Sequence, residues 1–237
     1  MATMDPKNIR GLVGNIIMYT VNGETRVRAR PGKYHQADVN KKSSKLFALV
    51  AAGSAPMIRA IRHYLPGLIP DNGVRGKLIG WIRKEYEKHG EDPGWLLGSI
   101  PTPLYNINPA IDLRNILLVQ PQIIYLSDEK KIQILFPAFH PRQYIIAPRQ
   151  TTTVILTAFC VSALFAGNPT DAATAQATQR IDYLSGEEVA FTMELPMPGA
   201  TGEIALLLLG VHFAGSDNSL FDIKAYSPFA VMAIGRV

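Results

Sequence analysis

The chain has 237 residues, 47% hydrophobic and 18% charged, with a formal net charge of +5 and one cysteine. This composition excludes wholesale disorder and an intramolecular disulfide framework, and the length suffices to bury a core without staples. The charge is uneven: residues 1–100 hold 16 Lys and Arg against 8 Asp and Glu, and residues 101–237 hold 8 against 11. A basic front half suits an anionic partner such as nucleic acid or a lipid surface. It equally suits a neighbouring copy met head to tail.

Residues 1–13 read as a short arm without periodicity. No apolar run follows a basic start there, so no standard secretory signal is read. The expected location is the cytoplasm as made, or an assembled particle or filament. Gly14–Arg30 is the clearest local element, because two runs of β-formers flank Asn22-Gly23, and both central positions of a type I′ hairpin turn require positive φ. A two-residue turn pairs Val21 with Glu24, Tyr19 with Arg26, Ile17 with Arg28 and Asn15 with Arg30. Alternation then puts Ile16, Met18, Thr20, Thr25, Val27 and Ala29 on a face that wants a core. Tyr19, Ile17, Val21, Arg26, Arg28 and Arg30 fall on a face that wants a partner or water.

Pro31-Gly32 reads as a turn, followed by polar residues to Ser44, with Ser43 or Ser44 as an N-cap. Lys45–Leu65 has helical spacing, with a kink or a two-part helix expected at Gly53 and Pro56. After a loop to Gly73, Val74–His89 is a second amphipathic helix: Val74, Leu78, Ile82 and Tyr86 recur every fourth residue. Glu91–Pro109 is rich in Gly and Pro, with Trp95, Leu96 and Leu97 as anchors, and marks a boundary between residues 1–100 and 110–237.

The second half reads as strands. They fall at Ile116–Leu126, an apolar run broken at Pro121, and at Lys131–Phe136, Tyr144–Ala147, Thr151–Phe165, Ala175–Leu184, Glu188–Leu195, Glu203–Phe213, Ile223–Tyr226 and Phe229–Ile234. Val154–Ala166 and Ile204–Ala214 are too short to span a membrane and read as buried strands, so no membrane span is expected. The fold class is α+β, mostly β: a hairpin and two helices, then an antiparallel β-sandwich of immunoglobulin-like architecture. No sequence repeat is present.

Chemistry-bearing motifs are sparse. His35, His63, His89, His140 and His212 show no metal-ligand spacing, and one cysteine builds no Cys-rich zinc site. Cys160 lies inside an apolar run and reads as a small hydrophobe. Gly73-Val74-Arg75-Gly76-Lys77 lacks the spacing and hydroxyl of a phosphate loop, and Asp217-Asn218-Ser219 reads as turn chemistry. No catalytic, cofactor or metal residue is assigned, and no enzyme is expected. The basic cluster carries the most weight: Tyr19, Arg26, Arg28, Arg30, Lys33, Lys41, Lys42 and Lys45 form a candidate interface or anion-binding set. It matches no named nucleic-acid module.

The segment Gly11–Arg28, G-x-x-G-N-I-I-x-Y-x-x-N-G-x-x-x-x-R, continues as R-x-R-P, a Ser/Lys-rich stretch and an F-A-L helix. It resembles an uncharacterised family of Bacteroidetes proteins that begin with this hairpin, continue with a helix and finish in a β-rich half. The resemblance implies similar last strands at Gly202–Phe213 and Tyr226–Ile234, and no activity or catalytic residue. The expectation is a structural subunit that assembles with copies of itself into a homo-oligomer, filament, tube, shell or phage-like particle. The alternative is a nucleic-acid-associated protein using the Arg26, Arg28 and Arg30 face. A carbohydrate- or peptide-binding sandwich is a third reading.

Overall fold

The structure, a computed structural model, describes residues 3–5, 8–30, 37–65, 72–89, 104–126, 128–165, 171–217, 219–221 and 226–237. Contact density divides the chain into Met1–Ser44 and Lys45–Val237, whereas the change in composition suggests a boundary near residue 100.

The first unit is built around a four-stranded antiparallel meander. Its strands β1 (Thr3–Asp5), β2 (Asn8–Val13), β3 (Ile16–Val21) and β4 (Glu24–Ala29) are neighbours in chain order. Residues 3–5 and 8–13 are therefore paired strands rather than an aperiodic arm. The turn that recruits β2 is Gly14-Asn15, with Val13 opposite Ile16 and Gly14 at φ 59°. Glycine at the first central position of a two-residue hairpin is what a II′ turn requires. The second turn has Asn22 at φ 52° and Gly23 at φ 83°, the I′ signature. The β3–β4 register is the one this turn dictates, from Val21↔Glu24 to Ile16↔Ala29. The Arg30 N–H extends the ladder by donating to the Asn15 carbonyl at 2.7 Å.

Helix α1 spans Asp38–Tyr64. It starts before the expected caps Ser43 and Ser44: the Lys41 N–H already donates to the Ala37 carbonyl at 3.0 Å, and Lys41 Nζ reaches Asp38 at 2.9 Å. An acidic residue in the first turn suits the positive end of the helix dipole. α1 runs unbroken through Gly53 and Pro56, so the two-part alternative is not adopted. Helix α2 spans Asn72–His89. The expected turn at Pro31-Gly32 and the anchors Trp95, Leu96 and Leu97 lie outside the described residues.

Then follow β5 (Tyr105–Asn106), α3 (Leu113–Ile116), β6 (Gln122–Leu126), β7 (Lys131–Phe139), α4 (Pro141–Tyr144), β8 (Thr153–Ala163), β9 (Ala173–Asp182), β10 (Val189–Pro196), β11 (Ile204–Ala214) and β12 (Phe229–Arg236). Of the expected strand at Tyr144–Ala147, Tyr144 instead ends α4, whose Pro141 stands at the helix N-terminus where its missing N–H costs nothing. Only Ile145 keeps a bridge, to Leu117. The strand expected at Ile223–Tyr226 falls largely outside the described residues.

Among these elements all strand pairs are antiparallel, in a five-stranded sheet β5-β12-β11-β8-β9 and a three-stranded sheet β10-β7-β6. Two cores result. In one, Val154, Leu156, Ala158 and Cys160 of β8 and Leu207 and Leu209 of β11 pack with Ile132, Ile134 and Phe136 of β7 and Met193 and Leu195 of β10. In the other, the alternate residues Phe159, Val161, Leu206 and Leu208 pack with Met57, Ile58 and Ile61 of α1 and Leu78 and Ile82 of α2. The larger sheet is thus covered on both faces, which is why β8 and β11 show no polar alternation. Each such large side chain withdrawn from water contributes about 1.5–3 kcal/mol before entropy is counted.

By length and composition, Asp38–Tyr64 is also a helix that could cross a membrane. Its buried face, including Val50, Met57, Ile58 and Ile61, packs in the second core. Gly53 sets the spacing of that core, since a Cβ at this position would overlap the Phe165 ring. Gly76, in α2, faces open space. Gly53→Ala is therefore expected to lose about 1–3 kcal/mol of stability through overpacking, and Gly76→Ala to gain about 0.5–1 kcal/mol through helix propensity. Urea denaturation of the two variants checks this; equal effects would contradict the packing assignment.

Candidate functional site

Of the 24 Lys and Arg and 19 Asp and Glu in the chain, eight and three lie in residues 1–44, so the formal +5 resides entirely in the first unit. The described members of the candidate set fall on separate elements. Tyr19, Arg26, Arg28 and Arg30 belong to the meander and its end, where the register places Tyr19 opposite Arg26. The Arg28 guanidinium lies over the Tyr19 ring at 5.5 Å, a cation–π contact across the diagonal of the pair. Arg26 comes within 3.7 Å of Glu24, both largely exposed, so the ion pair adds little stability. Lys41, Lys42 and Lys45 lie on α1, at spacings that share one helix face. Lys41 is paired with Asp38 at 2.9 Å. Lys33 lies outside the described residues.

The opposite face of the hairpin changes the expectation drawn from the sequence. The residues expected to face a core are not buried: Ile16 keeps 41% of its surface exposed and Val27 57%, and β4 is exposed at every position. β4 is also an edge strand, with one neighbour. Its arginines alternate with Thr25, Val27 and Ala29. Charged side chains on an edge discourage another strand from adding there.

The remaining candidates acquire definite surroundings. Cys160 is fully buried in β8, and burial pushes its thiol up to about 12. Gly73–Lys77 is the start of α2, with Val74 and Leu78 buried. The Asp217 carboxylate accepts the Ser219 N–H at 3.0 Å and the Ser219 hydroxyl at 2.6 Å, an Asx turn that lowers its pKa. His212 is the one partly exposed position within the run Ile204–Ala214. Its Nδ1 lies 3.2 Å from the Ser227 hydroxyl and its ring meets Phe229 edge-on, and burial holds its pKa below the usual 6.5. Among the described residues no three His, Cys, Asp or Glu side chains come together as a metal site.

A feature without a local sequence signal is a cleft of about 300 Å³ lined by Leu49, Tyr86, Leu164, Phe165, Gly202, Ile204 and Arg236. Its residues come from two helices and three separate strand ends, and only the folded register of Ile204 opposite Ala163 and Arg236 assembles them. Comparison of the chain with protein-family models, curated proteins and solved structures gives no match in any of the three.

Two outcomes follow from the buried groups. The Cys160 thiol is expected to resist a disulfide reagent such as DTNB at about pH 8 in the native protein, and to react stoichiometrically in guanidinium; native labelling at the unfolded rate would refute its burial. Because the folded His212 pKa is lowered, the unfolded chain binds the proton more readily. Its contribution is therefore complete above about pH 6.5 and is lost as the pH falls below that value. His212→Gln is expected to flatten the fall in unfolding free energy between about pH 7 and 5, measured by denaturant titration.

Proposed function

We propose that the protein is a non-enzymatic structural subunit that associates with copies of itself through the apolar face of its N-terminal meander. The observation that carries this reading is the exposure of Ile16 and Val27 on adjacent strands. A small sheet gains independent stability only when a hydrophobic face is covered, and a second copy supplies a surface of matching composition. Symmetric pairing of one face with itself gives a closed dimer, and pairing with a different patch gives a filament, tube, shell or phage-like particle. The arginines along β4 favour face contact over strand addition at the edge.

The immunoglobulin-like reading of the strand-rich unit belongs to the same proposal. Its support is the antiparallel pairing and the core shared by the two sheets; the helices on the far side of the larger sheet are an addition to that plan. A second reading, nucleic-acid association, draws support from the concentration of the whole net charge in residues 1–44.

Size-exclusion chromatography with light scattering and negative-stain microscopy test the proposal. The expected result is a concentration-dependent assembly that Val27→Lys, an exposed substitution, shifts toward monomer. A wild-type protein that stays strictly monomeric at high concentration refutes it. Salt-dependent RNA or DNA binding that is lost when Arg26, Arg28 and Arg30 become Glu would favour the second reading.

A further inference from the structure

The five-stranded sheet ends at β9, and that edge differs from every other edge among the described strands. β1 and β5 have three and two residues. β4 carries Arg26 and Arg28. β6 has five residues and follows Pro121. β10 has an irregular register between Val189 and Phe191, carries Glu194 and ends at Pro196. Short length, charge, proline and bulges are the devices that keep an edge from recruiting another strand. β9 has ten residues, Ala173–Asp182, with no proline and no break in its register with β8. Its charged residues are Arg180 and the terminal Asp182, whose carboxylate accepts the N–H groups of Leu184 and Ser185.

The hydrogen-bond pattern fixes which main-chain groups of β9 point outward. The Tyr183 N–H donates to the Thr152 carbonyl at 2.9 Å, one step beyond the Asp182↔Thr153 pair. Bonded and non-bonded pairs alternate in an antiparallel ladder, so the odd-numbered residues of β9 bond to β8 and the even-numbered ones direct N–H and C=O away from the sheet. In keeping with this, the side-chain amide of Gln179 donates to the Arg180 carbonyl at 3.0 Å. Side chains divide the same way. Ala175 and Ile181 are buried in the core shared with β7 and β10, and Gln176, Thr178, Arg180 and Asp182 are exposed. A second β9 adds by the same outward groups, so it pairs even with even; an odd–even register would also turn its apolar face to solvent. Two central registers of this kind have two-fold symmetry, with the axis at Ala177 or at Thr178. The second sets a Thr–Thr pair on the axis where the first sets Ala–Ala, and the threonine pair contributes more. It also places Arg180 opposite Gln176, and Asp182 opposite Thr174, of the other copy, so no like charges meet. We propose that β9 pairs antiparallel with β9 of a second copy about a two-fold axis at Thr178, joining the two larger sheets into one. The choice of a second copy rests on the self-association reading, but the contact lies wholly in the second unit. Two-fold contacts on two separate surfaces carry assembly beyond a closed dimer.

Disulfide trapping in the full chain tests this pairing. The two Thr178 Cα atoms would lie about 5.5 Å apart, within the span of a disulfide. The two Gln176 Cα atoms would lie four residues out of register, about 14 Å apart and beyond that span. Under mild oxidation Thr178→Cys is expected to give at least tenfold more cross-linked dimer than Gln176→Cys, a position also exposed. The wild type, whose Cys160 is buried, is expected to give none. In Val27→Lys, which removes the meander contact, the Thr178→Cys cross-link is expected to persist and light scattering to show a dimer. Adding Thr178→Lys to Val27→Lys sets two like charges on the axis and is expected to weaken that dimer at least tenfold. The proposal is overturned if Thr178→Cys cross-links no better than Gln176→Cys, or if Thr178→Lys leaves the dimer unchanged. It is equally overturned if Val27→Lys is a strict monomer, with β9 left to another protein's strand or to none. Those results leave the meander contact standing. Conversely, a Thr178→Cys cross-link beside wild-type assembly that Val27→Lys does not alter supports the β9 contact and removes the meander contact alone.

Discussion

The pairing of β8 with β11 is the constraint on which the larger unit depends. Eleven consecutive residue pairs run from Ile204↔Ala163 to Ala214↔Thr153, and nearly every residue in both strands is buried. With both faces covered by apolar side chains, the main-chain polar groups of these strands have few acceptors outside the sheet itself, so the ladder must be complete. Toward its Ala163–Ile204 end the apolar residues alternate between the core shared with β7 and β10, through Ala158, Cys160, Ala205 and Leu207, and the core shared with α1 and α2, through Phe159, Val161, Leu206 and Leu208. A shift by one position would exchange the contents of two cores of different shape. Gly210 shows how closely one point is fitted: it faces Phe229 across the β11–β12 register, and the ring occupies the place a Cβ would take.

What could be read in the sequence follows where the chemistry is local. The β3–β4 register is written in Asn22-Gly23, because few residues other than asparagine and glycine accept positive φ at both turn positions. The same logic at Gly14-Asn15 identifies β2, yet the short strands Thr3–Asp5 and Asn8–Val13, of mixed composition, offer no clear alternation to confirm it. The apolar runs of β8 and β11 announce burial but not what covers them. A strand apolar on both faces reads the same whether its second neighbour is a sheet or a helix layer, so the packing of α1 and α2 on the sheet was not legible. The first turn of α1 shows a different limit: Asp38 and Lys41 start the helix ahead of two serines that look like better caps. The basic residues were legible as a set but not as a site, because strand and helix distribute them over separate elements. The Arg236 cleft was not legible at all, since its residues meet only through long-range register.

The two units use charge and apolarity in opposite ways. In the second, charge is formally balanced and most of the large apolar residues described are internal. In the first, all the net charge coexists with apolar side chains left in solvent. Arginines along an edge strand resist indiscriminate pairing, and an uncovered face invites selective pairing. The combination describes a surface that associates by fit and resists simple stacking into a continuous sheet.

The two-sided burial of β8 and β11 also bears on how the chain reaches its native state. Apart from His212, neither strand carries an acidic or basic side chain, and they are separated in sequence by β9 and β10. Their contact requires closing a long loop, a slow and entropically costly step. The meander, by contrast, pairs only neighbours, through two-residue turns, on the microsecond scale of isolated hairpins. Until that loop closes, β8 and β11 have only their chain neighbours β9 and β12 as partners, and one edge of each hairpin is unpaired. During that interval, intermolecular pairing competes with the native ladder. The yield of folded protein is then set by a kinetic race in which dilution, low temperature and chaperones favour the native outcome.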